Sequence, residues 1–237
     1  MQWIDAHTHV GDDRGGIAAT VEDLEELLDT YISGAVVFCM DEVDGIPAGN
    51  RRIQEIVADD DRLAGLFRLD PAEHDPADIV DAGWASGVKL HPRSQDFTLE
   101  GVDRYLAVAE EHGLPVLVHT GLEEGEGSHP SSVLDAAERR PDLRFVAAHT
   151  TKGYYFQSSA FQERMQQRDN VSIEISLHCT PLGVEVLVDD LGADRVLFGS
   201  DAPYGHPLPV QKNVELADIP DEAGAKVAGK NAERLFF

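Results

Sequence analysis

The chain has 237 residues, 42% of them hydrophobic, which is enough to bury the core of one large domain. Its 44 acidic residues against 19 basic ones give a formal net charge of −25, and this charge argues against nucleic acids and acidic membrane surfaces as partners. The acidic residues are spread along the chain, so they do not indicate a disordered tail. A surface rich in Asp and poor in Lys also suggests, as a hypothesis about habitat, adaptation to high salt.

Neither a membrane span nor a secretory signal is visible in the sequence. No apolar run is long enough to cross a bilayer, and the N-terminus lacks a basic segment followed by an apolar one. We therefore expect a cytoplasmic protein. The two cysteines, Cys39 and Cys179, make no disulfide framework, and we expect both to be small buried hydrophobic residues.

Eight short apolar segments alternate with helical patterns along the chain. The first, Trp3 and Ile4, is followed at its end by His7 and His9. A helix is predicted over residues 21–31, with a capping box formed by Thr20 and the acidic residue three positions later. The elements that follow in chain order are strand 34–40, helix 48–58, strand 63–69, helix 79–85, strand 87–91, helix 99–109, strand 114–119, helix 131–140, strand 143–149, helix 156–168, strand 171–176, helix 184–190, strand 195–201 and a closing helix 221–235.

This alternation predicts a (β/α)₈ barrel. Each unit has about 30 residues, the size of a βαβ repeat, and strands that are apolar on both faces are typical of a parallel sheet. An open doubly wound sheet is the alternative, but no Gly-x-Gly-x-x-Gly turn follows the first strand. We expect one domain over residues 1–237, with its longest irregular stretches at 121–130 and 202–220, where barrel loops carry function.

Polar side chains gather at the carboxyl ends of the predicted strands. In an extended chain His7 and His9 point to the same face, and in a parallel barrel all strand ends open onto one side. Three imidazoles and a carboxylate make a ligand set suited to Zn²⁺, with Fe²⁺ and Mn²⁺ as alternatives. A set of satisfied core histidines is the structural alternative. The polar residues at strand ends are His7, His9, Lys89, His91, His119, His149 and Asp201.

Five motifs at these strand ends resemble those of a known family. They are Ile4-Asp5-Ala6-His7-Thr8-His9, Gly87-Val88-Lys89-Leu90-His91-Pro92, Val116-Leu117-Val118-His119-Thr120, Ala147-Ala148-His149 and Leu197-Phe198-Gly199-Ser200-Asp201-Ala202-Pro203. Over nearly its full length the chain resembles the metal-dependent hydrolases of the amidohydrolase superfamily, in particular the amidohydrolase-2 group that includes aminocarboxymuconate semialdehyde decarboxylase.

The resemblance implies specific roles for these residues. His7, His9, His119 and Asp201 would bind one divalent metal, and His149 would act beside it in catalysis. Metal-activated water would then attack a C–N or C–O bond. Asp201 would ligate the metal, accept the proton of the water, or do both.

A two-metal site is the alternative arrangement. Some members of the superfamily carry a carbamylated lysine at the fourth strand, where this chain has Lys89. One ion would then lie among His7, His9, Lys89 and Asp201, and the other among Lys89, His119 and His149. We favour one ion, because the Lys-Leu-His-Pro run resembles the one-metal group.

Four further residues are candidates for substrate binding. His91 shares a face with Lys89 and would bind substrate, a second metal or a structural hydrogen-bond partner. Arg93 follows the fourth strand and would clamp a substrate carboxylate or form a surface ion pair. His178 and His206 follow the seventh and eighth strands and would line the mouth of the barrel or lie in solvated loops. Glu174, if it faces inward, needs a partner.

The sequence therefore predicts a metal-dependent hydrolase of a small molecule, compatible with a homo-oligomer. Non-oxidative decarboxylation is the alternative within the same group. A TatD-type nuclease is disfavoured, because those enzymes carry Glu where this chain has Lys89 and because the chain is acidic. A barrel that holds a metal structurally is disfavoured, since ligands from separate strands at the open end are typical of catalysis.

Overall fold

Parallel strands curl into a barrel in the computed structural model, which describes residues 1–41, 43–121, 126–149, 159–178 and 180–237. Within these residues one nine-stranded sheet runs in the order β2-β1-β3-β4-β5-β6-β7-β8-β9, and only β2 is antiparallel to its neighbour. Because β2 is an added hairpin strand, the predicted second to eighth strands correspond to β3 to β9. The strands are β1 (Ile4–Asp12), β2 (Ala18–Ala19), β3 (Gly34–Cys39), β4 (Leu63–Arg68), β5 (Gly87–Leu90), β6 (Val116–His119), β7 (Phe145–Ala148), β8 (Val171–Glu174) and β9 (Val196–Leu197).

The last strand closes onto the first. The N–H of Asp201 donates to the carbonyl of His7 at 2.9 Å, and the N–H of His9 donates to the carbonyl of Ala202 at 2.8 Å. These hydrogen bonds continue the parallel pairing beyond the short β9. The predicted (β/α)₈ barrel is therefore confirmed, with the first strand extending through and past the histidine pair rather than ending at it.

Helices cover the outside of the barrel and bury the outer faces of the strands, which explains why strands such as β3 and β4 are buried throughout. They are α1 (Val21–Thr30), α2 (Ile46–Ala58), α3 (Pro76–Asp81), α4 (Asp103–Glu111), α5 (Pro130–Arg139), α6 (Ser159–Gln166), α7 (Pro181–Leu191), α8 (Pro207–Leu216), α9 (Asp221–Ala225) and α10 (Asn231–Phe236). A π-helical turn, Lys226–Lys230, joins α9 to α10, so the predicted closing helix is one helical run. No described helix has both the length and the apolar character needed to cross a membrane.

The expectation that residues 202–220 are irregular is wrong, because α8 occupies the middle of this stretch. This helix contains two prolines, Pro207 and Pro209. Both lie in the first turn, where backbone N–H groups have no partner within the helix and proline is tolerated. The ring of His206 caps this turn by accepting the N–H of Leu208 at 3.2 Å.

Other expectations fall partly outside the described residues. Cys39 is fully buried, as expected, whereas Cys179 lies outside the described residues. Residues 156–158 of the predicted sixth helix and residues 122–125 of the predicted irregular stretch also lie outside them.

Apolar side chains fill the inside of the barrel in a separate cluster from the one between strands and helices. The interior cluster includes Val36, Leu66, Leu117 and Val146 from four strands, with Phe236 of α10 packed against it. The larger cluster takes the alternate positions of the same strands. The interior is therefore apolar toward the end covered by α10, and polar side chains occupy the opposite, carboxyl end.

The N-terminus of α1 offers a test of the fold away from the site. The N–H of Asp23 donates to Oγ1 of Thr20 at 3.2 Å, and the N–H of Thr20 donates to the Asp23 carboxylate at 2.7 Å. We expect Thr20→Ala to lower the free energy of unfolding by about 1 kcal/mol, because the cap is lost. Urea unfolding measures the change, and Thr20→Ser, which keeps the hydroxyl, serves as the control. Equal stability of wild type and Thr20→Ala would contradict the capping assignment.

Candidate metal centre

A β-bulge in β1 aims its two histidines into the barrel. Asp5 pairs with Ala35 and Thr8 with Val37, so β1 has one residue more than β3 between the two pairs. Such a bulge reverses which side chains face inward. His9 consequently pairs with Phe38 and turns to the interior.

The two histidines meet a carboxylate from the far end of the chain. Nε2 of His7 is 3.2 Å from Oδ1 of Asp201, and Nε2 of His9 is 3.1 Å from the same oxygen. Nε2 of His149 lies 3.9 Å from it. One ligand atom from each of His7, His149 and Asp201 lies within 4.8 Å of the others. The structure therefore brings together four of the residues that the sequence predicts for the site.

Burial sets the protonation of these groups. It lowers the pKa of His7 and His149 well below the ordinary value, and it lowers that of His9 as well. For Asp201 burial acts to raise the pKa, but the hydrogen bond to His9 and nearby positive charge hold it below its usual range. The site therefore presents neutral imidazoles and an ionised carboxylate, the forms that bind a metal ion.

His119 lies beside this group, stacked on His91. The two rings are 3.8 Å apart at an interplanar angle of 11°, and His119 stands edge-on to His149 at 4.9 Å. Nδ1 of His91 accepts the N–H of Ser94 at 3.2 Å. His149, rather than His119, thus completes the tightest cluster of potential ligand atoms in the described residues.

Lys89 lies directly beneath the histidines. It is fully buried, with Nζ 3.5 Å from Nε2 of His7 and 4.6 Å from the ring centre of Phe38. Burial lowers the pKa of its amine to about 7. The residue is therefore placed next to the proposed ligands, where the two-metal arrangement requires it and the one-metal arrangement allows it.

Two buried side chains, Glu174 at the end of β8 and Ser176 in the turn after it, support the histidines from behind. Oε2 of Glu174 is 2.9 Å from Nδ1 of His7 and accepts the hydroxyl proton of Ser176 at 2.9 Å. Oγ of Ser176 is in turn 2.6 Å from Nδ1 of His149. Burial and the charge of Asp201 raise the pKa of Glu174 to about 8. The partner that an inward-facing Glu174 needs is therefore His7.

Backbone strain is concentrated at the same strand ends. His149, Leu177 and Asp201 have φ angles of 59°, 59° and 61°, in the left-handed region that side chains other than glycine rarely adopt. Such conformations cost of the order of 1–3 kcal/mol each and persist where the surrounding structure holds them. Two of these residues are predicted site residues.

A cavity of about 900 Å³ opens above the cluster and receives several of the predicted substrate residues. His91, His178 and His206 line it, as do His9 and His119. His178 is partly buried, and burial lowers its pKa. Arg93 is exposed, and the described lining of the cavity does not include it.

Arg68 lines the same cavity, although the sequence did not single it out. It ends β4 and is 2% exposed, which is rare for a charged side chain. Nη1 donates to the carbonyl of Cys39 at 3.0 Å, and Nη2 lies 3.8 Å from Oδ1 of Asp41. Nε is buried without a hydrogen-bond partner among the described residues. Arg68 could have been found from the sequence, because it is a charged residue at the carboxyl end of an apolar strand.

The sequence model of the amidohydrolase family matches residues 4–237, nearly the whole chain. The chain belongs to this family. The expected resemblance to the amidohydrolase-2 group is therefore confirmed. None of the curated proteins is a significant match to the family member described here.

Solved structures with the same fold cover the whole barrel. The 5-carboxyvanillate decarboxylase LigW from Sphingomonas paucimobilis is 17% identical, with a TM-score of 0.76 over 99% of this chain and 98% of that chain. A candidate 2-pyrone-4,6-dicarboxylic acid hydrolase from Pseudomonas putida is 19% identical, with a TM-score of 0.78 over 99% and 97%. A 5-carboxyvanillate decarboxylase from Novosphingobium aromaticivorans, in complex with manganese and a nitrobenzoic acid, is 14% identical, with a TM-score of 0.77 over 99% and 96%.

The donor set of this amidohydrolase fits a divalent cation. Imidazole nitrogens and a carboxylate oxygen suit zinc, iron and manganese, and His7 has its Nδ1 bonded to a carboxylate, as is usual for metal-binding histidines. The group His7, His149 and Asp201 could hold such an ion.

Removal of a ligand should remove the metal. Loss of a residue that only hydrogen-bonds to a metal ligand lowers metal affinity by roughly 10–100-fold. We expect His7→Ala and Asp201→Ala, which remove a ligand itself, to lower it by more than this. Elemental analysis after dialysis measures the bound metal, and exposed His112→Ala is the matched control. Wild-type metal content in either site variant would show that the residue is not a ligand.

Proposed function

We propose that this chain is a divalent-metal-dependent hydrolase that cleaves a C–N or C–O bond in a small substrate carrying a carboxylate. The observation that supports the proposal most strongly is the convergence of His7, His9, His149 and Asp201 at the inner end of a large cavity. In a closed parallel barrel this is the end at which active sites lie.

Following the resemblance to the amidohydrolase-2 group, the metal would be held by His7, His9, His119 and Asp201, although the tightest group of ligand atoms in the described residues contains His149; zinc is the first candidate, with iron or manganese as alternatives. When bound, a divalent cation supplies Lewis acidity, which makes water more acidic and polarises a carbonyl group. We favour one ion per chain over two. Elemental analysis of the purified protein tests this, and two ions per chain would instead favour the arrangement that includes Lys89.

Asp201 and His149 would move the protons. The Asp201 carboxylate is ionised, so it can accept a proton from the attacking water. His149 has Nδ1 bonded to the Ser176 hydroxyl, which leaves Nε2 on the side of Asp201. From that position His149 can accept a proton at Nε2 and then pass it to the leaving group.

Arg68 would anchor the substrate. A buried guanidinium with an unpartnered Nε is poised to bind a carboxylate, and the partner gained would offset the cost of its burial. Met40, Leu177 and Val210 give the cavity apolar walls. Together these features favour a small organic acid with an apolar body.

Decarboxylation without oxidation is the second candidate. Its support is that solved structures with this fold are named as decarboxylases of 5-carboxyvanillate and 2,6-dihydroxybenzoate. The same residues would serve, because Asp201 or His149 in its protonated form could protonate the carbon that loses carbon dioxide.

Product analysis in ¹⁸O-water separates the two reactions. A set of small aromatic and heterocyclic dicarboxylic acids, their half-esters and their half-amides would be incubated with the metal-loaded enzyme. Hydrolysis places one ¹⁸O atom in the product, whereas decarboxylation releases carbon dioxide and leaves no ¹⁸O at the reacting carbon. Release of carbon dioxide without incorporation of ¹⁸O would overturn the hydrolase proposal in favour of the lyase.

His149→Ala distinguishes catalyst from ligand. Because we assign His149 to proton transfer, we expect the variant to keep most of its metal and to lose about 10²–10⁴-fold in kcat. Metal content and kcat are measured on the same sample, with His119→Ala alongside. If His149→Ala loses its metal and His119→Ala keeps it, the roles of the two residues are exchanged.

Arg68→Met should weaken substrate binding. Loss of a charge-assisted hydrogen bond costs about 1.5–3 kcal/mol, so we expect KM for a carboxylate substrate to rise by about 10–150-fold. Arg68→Lys keeps the charge without the planar fork and should give an intermediate KM. An unchanged KM in a folded Arg68→Met variant would show that the guanidinium does not bind the substrate.

A further inference from the structure

A chain of buried hydrogen bonds joins two histidine rings of the site through the end of β8 and the turn that follows it. Nδ1 of His7 is bonded to Oε2 of Glu174, the same oxygen accepts the hydroxyl of Ser176, and this hydroxyl is bonded to Nδ1 of His149. Glu174 and Ser176 are both fully buried, and His149 is 3% exposed. Water therefore does not compete for these bonds.

The protons of this chain can be placed by counting donors and acceptors. Burial raises the pKa of Glu174 to about 8, so the carboxylate form prevails above that pH and would be favoured by the charge of a bound divalent cation; in this form Glu174 can only accept, from Nδ1–H of His7 and from the hydroxyl of Ser176. The hydroxyl has one proton and gives it to Glu174, so its oxygen must accept from Nδ1–H of His149. Both imidazoles then carry their proton on Nδ1 and present the lone pair of Nε2 toward Asp201.

The fold makes room for the carboxylate in this place. Glu174 ends β8, and Ser176 follows two residues later with its hydroxyl 2.9 Å from the Glu174 carboxylate. The backbone N–H of Ser176 also donates to Oε1 of Glu174. At Gly199 a Cβ atom would clash with Oε1 of Glu174, so the glycine leaves the space that the carboxylate occupies.

We infer that Glu174 is a positioning residue that fixes the tautomer and orientation of His7 directly and of His149 through the hydroxyl of Ser176. The inference rests on the proposed function, because the Nε2 lone pairs that these tautomers present matter only if a metal binds there. It goes beyond the ligand set, because one carboxylate would orient both His7, a proposed metal ligand, and His149, the proposed proton-transfer residue.

Metal affinity is the first test. In Glu174→Gln the amide offers one acceptor where the carboxylate offered two, so Nδ1–H of His7 and the groups of Ser176 compete for it. We expect the Kd for Zn²⁺ and for Mn²⁺, measured by competition with a chelator, to rise by about 10–100-fold. Wild-type affinity in a folded Glu174→Gln variant would overturn the inference.

Asp5→Asn is the matched control for the loss of buried charge. Oδ1 of Asp5 accepts the N–H groups of His7 and Ser200 at 3.0 and 2.9 Å, and Oδ2 has no hydrogen-bond partner among the described residues. The amide can keep both bonds while the charge is lost. We expect a much smaller loss of affinity than in Glu174→Gln. Equal losses would show that only the charge near the metal matters, and the inference would fail.

The branch through Ser176 has its own test. Nitrogen-15 NMR of the histidine rings reports which nitrogen carries the proton, with single-histidine variants assigning the signals. In Ser176→Ala we expect His149 to lose its single Nδ1–H tautomer while His7 keeps its own. Ser172→Ala is the control, because Ser172 lies on the same strand but lines a separate surface pocket with Arg144 and Asp194. An unchanged His149 signal in Ser176→Ala would contradict the relay.

The NMR measurement on metal-free wild type, made at a pH well above 8 so that Glu174 is ionised, remains decisive even if a variant does not fold. A proton on Nε2 of His7 in that sample would overturn the inference outright, and a proton on Nδ1 supports it. If instead the wild type binds no divalent metal, the proposed function fails, whereas the tautomer of His7 still decides the positioning role of Glu174.

Discussion

The bulge in β1 is the constraint on which the site depends, because it decides which way the first strand presents its histidines. In an uninterrupted strand, the alternation that places Ile4 inside the barrel would send His7 and His9 to the outer face. The extra residue after Asp5 reverses that alternation. The Asp5 carboxylate then accepts the N–H groups of His7 and Ser200, which ties the irregular segment to the closing edge of the barrel.

Burial turns this geometry into chemistry. Imidazoles kept neutral by desolvation offer a lone pair, and the pKa of Asp201 stays below its usual range because the hydrogen bond from His9 and the nearby charge of Lys89 outweigh the effect of burial. The left-handed backbone at His149 and Asp201 places both residues where the parallel strands end. Such strain persists only in a scaffold that holds the residues from several sides. Here the barrel closure and the Glu174–Ser176 relay do so.

Much of this could be predicted from the sequence, for a simple topological reason. Parallel strands in a barrel deliver their carboxyl ends to one face, so His7, His9, His149 and Asp201 could be placed together without knowledge of any contact. The bulge could not be predicted, because it exists only in the register between β1 and β3. The stack of His119 on His91 depends in the same way on side-chain packing.

Two further omissions have local causes. Helix α8 was missed because two prolines in its first turn look like a break in the sequence, although that turn is where a helix tolerates them. Arg68 was missed because it ends an apolar segment and was counted with the strand. A charged residue at the carboxyl end of a buried barrel strand is better regarded as a site candidate, because burying a charge is costly and a bound ligand can offset that cost.

The position of Arg68 also constrains the reaction. An ion pair with a guanidinium stabilises a carboxylate, whereas loss of carbon dioxide removes the negative charge of that carboxylate in the transition state. A carboxylate bound by Arg68 is therefore stabilised more in the ground state than in the transition state, which disfavours its loss as carbon dioxide. In either proposed reaction the group at Arg68 is an anchor. The bond that breaks must then lie at the other end of the substrate, over His7, His9 and Asp201, and a decarboxylase with this site would need a substrate with a second carboxylate.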